Sequence, residues 1–286
     1  MMDDSTYQSS KLSTRLNHLA RRVFLKAVAA GSLRTKLVIA FLIVALSSLS
    51  LLGFLNDRAT RAALTEAANE FLLTAASQVR ARLDNFITTN LSIISTEAQV
   101  PVLAEYLSLP ASERGGSKEA ERVLGVLNAF RRRDEVFISS YALLDLHGQN
   151  VIDTQSSNIG RDESDRTYFK TVLEIAFGRR PYVSPVEFET DGTASLYFSN
   201  RVVDENGKVV GVLRARYSAA VLQYLMVQDT GLAGPQSFAI LLDENHVRLA
   251  YGLVSPGGAE DVIYRSVVPH DPARMSELQA IRRLPN

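Results

Sequence analysis

Polar and apolar positions along this chain fall into three successive patterns. The first has no period: Leu37 to Leu55 is nineteen residues without a charge. Roughly 20 mostly apolar residues cross a bilayer as an α-helix, each advancing ~1.5 Å. The run therefore predicts a transmembrane helix rather than a buried core helix. Ser47, Ser48 and Ser50 are compatible with it, because a helical hydroxyl bonds back to a carbonyl one turn earlier. The second pattern is helical. From Asn56 to Val100 there is no Gly and no Pro, and Ala68, Leu72, Ala75, Val79, Leu83, Phe86 and Ile94 recur at three- and four-residue spacing. That predicts one long helix leaving the membrane and broken by Pro101, about 65 Å at ~1.5 Å per residue. Such a length suggests a stalk that packs on a domain and pairs with a second copy of itself.

Pro110 to Gly116 reads as a loop. Ser117 is placed to cap a helix with the stripe Ala120, Val123, Leu124, Leu127 and Phe130, closed by Arg131-Arg132-Arg133. The third pattern then begins, with a period of two. Val136–Asp145 and Asn150–Asp153 form a hairpin around His147-Gly148. Val202–Leu213 repeats the phrase around Asn206-Gly207, a strong two-residue turn signal, and Leu241–Gly252 repeats it again. Leu143-Leu-Asp and Leu241-Leu-Asp each open a polar turn and a strand, 98 residues apart. A repeat of that size suggests two tandem α+β modules, the second incomplete. Asp271 to Pro285 reads as a final helix, with Asp271 as cap and Pro272 in its first position. The expected organisation is a tail at 1–36, a membrane helix at 37–55, a stalk at 56–100, a membrane-distal module at 101–217 and a partial membrane-proximal module at 218–286.

Charge orients the chain. Lys11, Arg15, Arg21, Arg22, Lys26, Arg34 and Lys36 precede the apolar run against only Asp3 and Asp4, whereas the charges after it nearly balance. The positive-inside rule puts the N-terminus in the cytoplasm and the domain outside the cell membrane, in a single-pass arrangement. The run exceeds the ~7–15 residues of a signal-peptide core, and no small-x-small site follows, so an uncleaved anchor is expected. Leu16, Leu19, Val23, Phe24 and Lys26 allow a short amphipathic helix in the tail; a disordered topogenic tail is the other reading. Net charge is zero, which gives no sign of a nucleic-acid surface. With no cysteine and four histidines far apart in sequence, neither a metal site nor a cofactor is expected.

Between the first two hairpins lies Gly160-Arg-Asp-Glu-Ser-Asp-Arg-Thr-Tyr-Phe169. A helix to Phe177 follows, capped by Asp165 or Ser164, with Phe169, Val172, Leu173 and Ala176 on its buried face and Gly178 at its end. Strands with Tyr182 and Ser184, from Ser195 to Val203, and from Lys208 to Tyr217 complete the module. Asp165-Arg166-x-Tyr168-Phe169, and Val203-Asp-x-x-Gly207 with Gly211-Val212, resemble the double Cache family of extracytoplasmic sensor domains. The resemblance covers roughly residues 37–270 and implies two PAS-like modules with antiparallel sheets behind a long helix.

In that family the membrane-distal module usually holds the ligand, and the Arg and aromatics of the short motif belong to the pocket of amino-acid-binding members. The resemblance thus makes Arg166, Tyr168 and Phe169 candidate ligand residues, with Tyr182 and Ser184 on the next strand. Amino-acid-binding members carry an Asp near the end of the last strand, where it holds the ligand's ammonium; Arg216 falls there in this chain. Strand alternation places Arg214 and Arg216 on the same face as Val210 and Val212. A guanidinium repels an ammonium and pairs with carboxylate, so the expected ligand is anionic, a small organic acid. Plainer readings stand beside these: Arg166 in surface ion pairs with its neighbours Asp162, Glu163 and Asp165, Tyr168 and Phe169 in the core, Arg214 and Arg216 on a solvated face. Tyr197, Ser199 and Arg201 fit pocket or solvent equally, and Asp145, Asp204 and Asp243 are turn formers.

The leading expectation is therefore a membrane-anchored sensory module for signal transduction or chemotaxis. It would act as a homodimer through the stalk, with its output supplied by a missing cytoplasmic domain or a partner. A tethered scaffold with a vestigial pocket is the alternative. An enzyme is not expected, since there is no Gly-x-Ser-x-Gly and no paired histidines.

Overall fold

Two ten-residue antiparallel strands, β5 (Ala194–Val203) and β6 (Val209–Ser218), form the centre of the main sheet. In this computed structural model the described residues are 32–174, 178, 180–228, 231–253 and 262–285. The tail before residue 32, Ala176 and the expected end of its helix at Phe177 lie outside them. The chain divides after Asn69 into two units.

In the first unit, helix α1 (Leu33–Glu97) begins and carries the apolar run. None of the side chains from Leu37 to Leu55 is buried. It is one helix long and apolar enough to cross a membrane. Ser47 and Ser48 donate their hydroxyls back to the Val44 carbonyl at 2.9 and 2.8 Å.

In the second unit, β1 (Ile138–Leu144) pairs with β6 and with β2 (Asn150–Asp153). Short β3 (Tyr182–Val183) and β4 (Glu187–Phe188) share the outer side of β5. The order is β2–β1–β6–β5 with β3 and β4 beyond, antiparallel at each pairing. Alternation gives this sheet two buried faces. One face, with Tyr141, Leu143, Leu196, Phe198, Leu213, Ala215 and Tyr217, packs on Val79, Phe86 and Ile94 of α1 and on Val123 and Leu127 of α4 (Lys118–Arg131). Tyr168, Phe169, Val172, Tyr197 and Val212 cluster on the other face.

α1 ends at Glu97 and α2 (Pro101–Ser108) starts at the proline, whose missing N–H and fixed φ suit a first helical position. One turn, α3 (Ala111–Arg114), interrupts the expected loop. Ser117 caps α4 as expected, accepting from the Ala120 N–H at 3.0 Å. Gly211 is required where α2 crosses β6: a Cβ there would lie 2.4 Å from the Leu144 carbonyl oxygen and 2.8 Å from a Leu107 methyl.

The repeated hairpin phrase has one physical basis. Asp145, Asp204 and Asp243 each accept two backbone N–H bonds across their own turn, at 2.8–3.0 Å. Three residues on, the chain enters the left-handed region, at Gly148 (φ 83°), Gly207 (φ 76°) and His246 (φ 58°). The last hairpin, β7 (Ile240–Leu242) with β8 (Arg248–Tyr251), is a separate two-stranded sheet flanked by α6 (Ala220–Val227). α7 (Pro272–Ala280) begins at Asp271, which accepts from the Arg274 N–H at 2.7 Å, and ends five residues before the expected Pro285.

Candidate functional site

The outer face of β5 and β6 is floored by Tyr197, Arg214 and Arg216, and the segment from Asn158 to Tyr168 crosses over it. The short helix α5 (Thr167–Leu173) continues from that segment. Arg166, not Asp165 or Ser164, takes the position before its first turn, with extended backbone and no side-chain cap. Asp165 instead pairs with Arg282 at 3.1 Å. Its extended backbone lets Arg166 leave the helix and reach the wall formed by β4. The far end of α5 is held from β5: Arg201 donates through Nε to the Val172 carbonyl and through Nη2 to that of Glu174 at 2.7 Å.

Between floor and cover is a cavity of about 50 Å³, whose lining residues include Arg161, Arg166, Arg214 and Arg216, the acidic Asp162, Glu163 and Glu189, and Tyr168 and Tyr197. Those rings stack at 4.4 Å between centroids. The Arg166 and Arg214 guanidiniums lie 6.0 and 5.8 Å from the Tyr197 centroid, within cation–π range.

Arg214 is 2 % exposed. It pairs with Asp153 at 3.1 Å and Glu163 at 2.9 Å, and donates to Ser140 Oγ at 2.7 Å. Burial works against the Glu163 carboxylate, but Arg214, the Tyr168 hydroxyl at 2.5 Å and Asn150 at 3.0 Å hold its pKa below the ordinary value. Arg166 grips two carboxylates, Glu187 at 3.1 Å and Glu189 at 2.7 Å. Burial pushes the Glu187 carboxyl up, and its Oε1 has no hydrogen-bond partner among the described residues. Glu189 goes the other way: despite desolvation, the Tyr197 hydroxyl and Arg166 lower it, with Arg216 adding to the effect. Arg216 donates to the Ser195 hydroxyl at 2.9 Å and, among the described residues, has no carboxylate within salt-bridge distance.

The fold thus gathers Arg166, Tyr168, Arg214 and Arg216 around one cavity. Phe169, Tyr182 and Ser184 are not among its lining residues. Phe169 is buried in the cluster beneath α5, Tyr182 packs at the edge of that cluster, and Ser184 Oγ accepts from the Tyr197 N–H at 3.1 Å, which fixes the floor. Tyr197, which the sequence left between pocket and solvent, lines the cavity. The partner carboxylates Glu187 and Glu189 went unforeseen. Alternation of Glu187 and Glu189 beside an edge strand was the available signal, but it does not say which face the strand presents. A larger cleft of about 460 Å³ against α2 and the β5–β6 turn has acidic Glu105, Asp204 and Glu205 on its lining and no guanidinium.

No protein-family model matches the sequence, and no curated protein matches it. Solved structures do match. The sensor domain of the V. cholerae histidine kinase DctB superposes with a TM-score of 0.57 at 15 % identity, over 76 % of each chain. The ligand-binding domain of the Campylobacter jejuni chemoreceptor Tlp3, in complex with 4-methylisoleucine, gives 0.50 at 15 % identity, over 73 % of this chain and 77 % of that one. In its central antiparallel sheet covered on both faces, with a smaller second sheet, the chain is thus similar in fold to the Cache-type sensor domains.

Proposed function

We propose that this chain is the sensory part of a single-pass membrane receptor, and that it takes a small anionic organic acid in the cavity between β5, β6 and the 158–168 cover. The observation that carries the reading is that four arginines line a tyrosine-floored cavity, one of them, Arg216, hydrogen-bonded among the described residues only to a neutral hydroxyl. Arg214 is neutralised by two carboxylates and serves as the fixed floor. Arg216 and Arg161 are the groups free to grip a ligand carboxylate. An amino-acid ligand would bring an ammonium beside Arg216, which disfavours that class here.

The N-terminus lies in the cytoplasm, on the basic side of the apolar run, and the sheet domain lies outside. Two copies pair through α1, whose Phe71, Leu72 and Leu73 are exposed above the domain-packed stretch. Output comes from a cytoplasmic signalling partner or domain. A ligand biases two states only by its differential affinity for them. β6 is the shortest route for that bias, since it carries Arg214 and Arg216 toward the cavity and Tyr217 toward α1.

A tethering scaffold is favoured by one observation, the small volume of the cavity. A thermal-shift and calorimetric screen of the full chain in detergent separates the two readings, using mono- and dicarboxylates, amino acids and amines. A response to carboxylates that Arg216→Ala abolishes supports the sensor; a response to amino acids alone overturns the anionic ligand; no response across the panel favours the scaffold.

A further inference from the structure

The cavity has the polar lining of a binding site and almost none of the room. About 50 Å³ holds a few waters, whereas small-molecule pockets run from ~300 Å³ upward. One of its lining residues is Glu189, the residue just after β4. It accepts from Arg166 Nη2 at 2.7 Å and from the Tyr197 hydroxyl on the cavity floor. Arg216 stands close enough to help keep it ionised.

Two features mark this side chain as replaceable. Arg166 holds two carboxylates where one neutralises it, so loss of Glu189 leaves the Arg166–Glu187 pair at 3.1 Å intact. Glu189 also begins an exposed turn, in which its N–H donates to the Thr193 carbonyl and its carbonyl accepts from Gly192, both at 2.9 Å. Thr190 to Thr193 are exposed, while Glu187, two residues back, is 5 % exposed. A swing of Glu189 toward solvent thus disturbs a surface turn and leaves Arg166 Nη2 and the Tyr197 hydroxyl without that acceptor.

We propose that Glu189 is a tethered carboxylate occupying the ligand position, and that a small carboxylate ligand binds by displacing it. The proposal rests on the sensor reading above and gives it a specificity rule. The ligand must supply a carboxylate to Arg166, the Tyr197 hydroxyl and Arg216 in place of Glu189, and affinity is reduced by the fraction of molecules in which Glu189 is docked. A neutral or cationic compound of equal size does not open the site.

The test uses the full chain in detergent and sodium acetate as a substitute carboxylate, with sodium chloride at equal ionic strength as control. In Glu189→Ala, acetate fills the vacated position, so it raises the melting temperature in a dose-dependent manner and recovers most of what the substitution lost. The parent protein, its position already filled, shifts far less. Equal responses to acetate and chloride in the folded Ala variant overturn the proposal. Glu189→Gln keeps the size and drops the charge, which guards against misfolding of the Ala variant: its Kd for succinate falls about tenfold below the parent's, and an unchanged or weaker Kd overturns the proposal. Succinate binding that needs Arg216 but ignores both Glu189 substitutions leaves the sensor standing and removes only the tethered carboxylate. Acetate rescue without any succinate binding by the parent keeps the tethered carboxylate and shows that succinate is not the ligand.

Discussion

Tyr217, near the end of β6, donates its hydroxyl to Asn90 Oδ1 of α1 at 2.7 Å. Its ring meets Phe86 of the same helix edge-on at 5.8 Å. Arg133 joins the contact, donating to the Tyr217 hydroxyl at 2.9 Å and pairing with Glu97 at 2.6 Å, and Tyr141 donates to the other Glu97 oxygen at 2.8 Å. The residue before Tyr217 is Arg216, which points to the cavity. One strand therefore carries cavity groups on one face and a satisfied polar clamp to the long helix on the other.

Tyr217→Phe keeps the ring and removes the hydroxyl. Asn90 then loses its best donor and Arg133 an acceptor in a largely dry setting, so the loss is ~1–3 kcal/mol, the usual range for unpaired buried polar groups. Urea denaturation of the full chain in detergent reads it. A change below about 0.5 kcal/mol, the scale of an ordinary surface substitution, would mean that the clamp does not hold the helix.

Glu97 gives the clamp a pH signature. Burial raises its carboxyl pKa, only partly opposed by Tyr141 and Arg133. The unfolded chain then gives up its proton first, so Glu97's contribution is full below the ordinary value near 4.5 and is lost as pH rises through the folded value. Glu163 and Glu189 are depressed, so theirs is present above the unfolded value and lost as pH falls through the folded one. Glu97→Gln should therefore gain on the parent as pH rises from 4.5 toward 7. Denaturation midpoints that stay parallel across that window would contradict the assignment.

What the sequence revealed of this molecule follows from which patterns are local. Hairpins announced themselves because an Asp and a left-handed residue three positions later are properties of one turn. The long apolar helix and the helix capped by Ser117 were legible for the same reason. Arg214 was placed on the correct face by alternation, yet its partners Asp153 and Glu163 come from β2 and the cover loop. No periodicity within β6 could have named them. Arg166 shows the limit more sharply: its neighbours Asp162, Glu163 and Asp165 suggested local pairs, while the fold carries it across to Glu187 and Glu189.

Arg214 and Arg216, two residues apart, should respond in opposite ways. Arg214→Met leaves the Asp153 and Glu163 carboxylates buried without a cation, a loss of ~3–5 kcal/mol for a broken buried ion cluster. Acidification should recover part of it, because protonating Glu163 removes the uncompensated charge. Arg216→Ala leaves only Ser195 without its donor and should cost under ~1 kcal/mol while removing carboxylate binding. Comparable destabilisation by both would show that the floor and the grip are not distinct.

His246 occupies in the third hairpin the position held by Gly148 and Gly207 in the first two, at φ 58°. An L-residue there is strained by ~1–2 kcal/mol, partly offset by the greater chain entropy that Gly loses on folding. The side chain is exposed. His246→Gly should therefore stabilise by a few tenths to about 1 kcal/mol, and Gly207→Ala should destabilise by about 1 kcal/mol. Loss of stability in His246→Gly would indicate that the imidazole makes a contribution that the turn geometry does not explain.

The chain has no cysteine, so a single introduced thiol reports on its own neighbourhood alone. Phe71 is 64 % exposed on α1, ahead of Val79, where the helix becomes buried against the sheet. An apolar ring left to solvent on a stalk is what a helix–helix seam supplies. Arg80, nine residues later, points to the opposite side at 3.6 residues per turn and is exposed beside Asp84. If α1 pairs with a second copy, Phe71→Cys should form a disulfide-linked dimer in membranes under mild oxidation and Arg80→Cys should not. Equal cross-linking at both sites would reflect random collision, and none at Phe71 would leave that ring for a different partner. Adding a carboxylate that binds should change the Phe71→Cys rate only if the cavity and the helix are coupled through β6, and Tyr217→Phe should then remove the change.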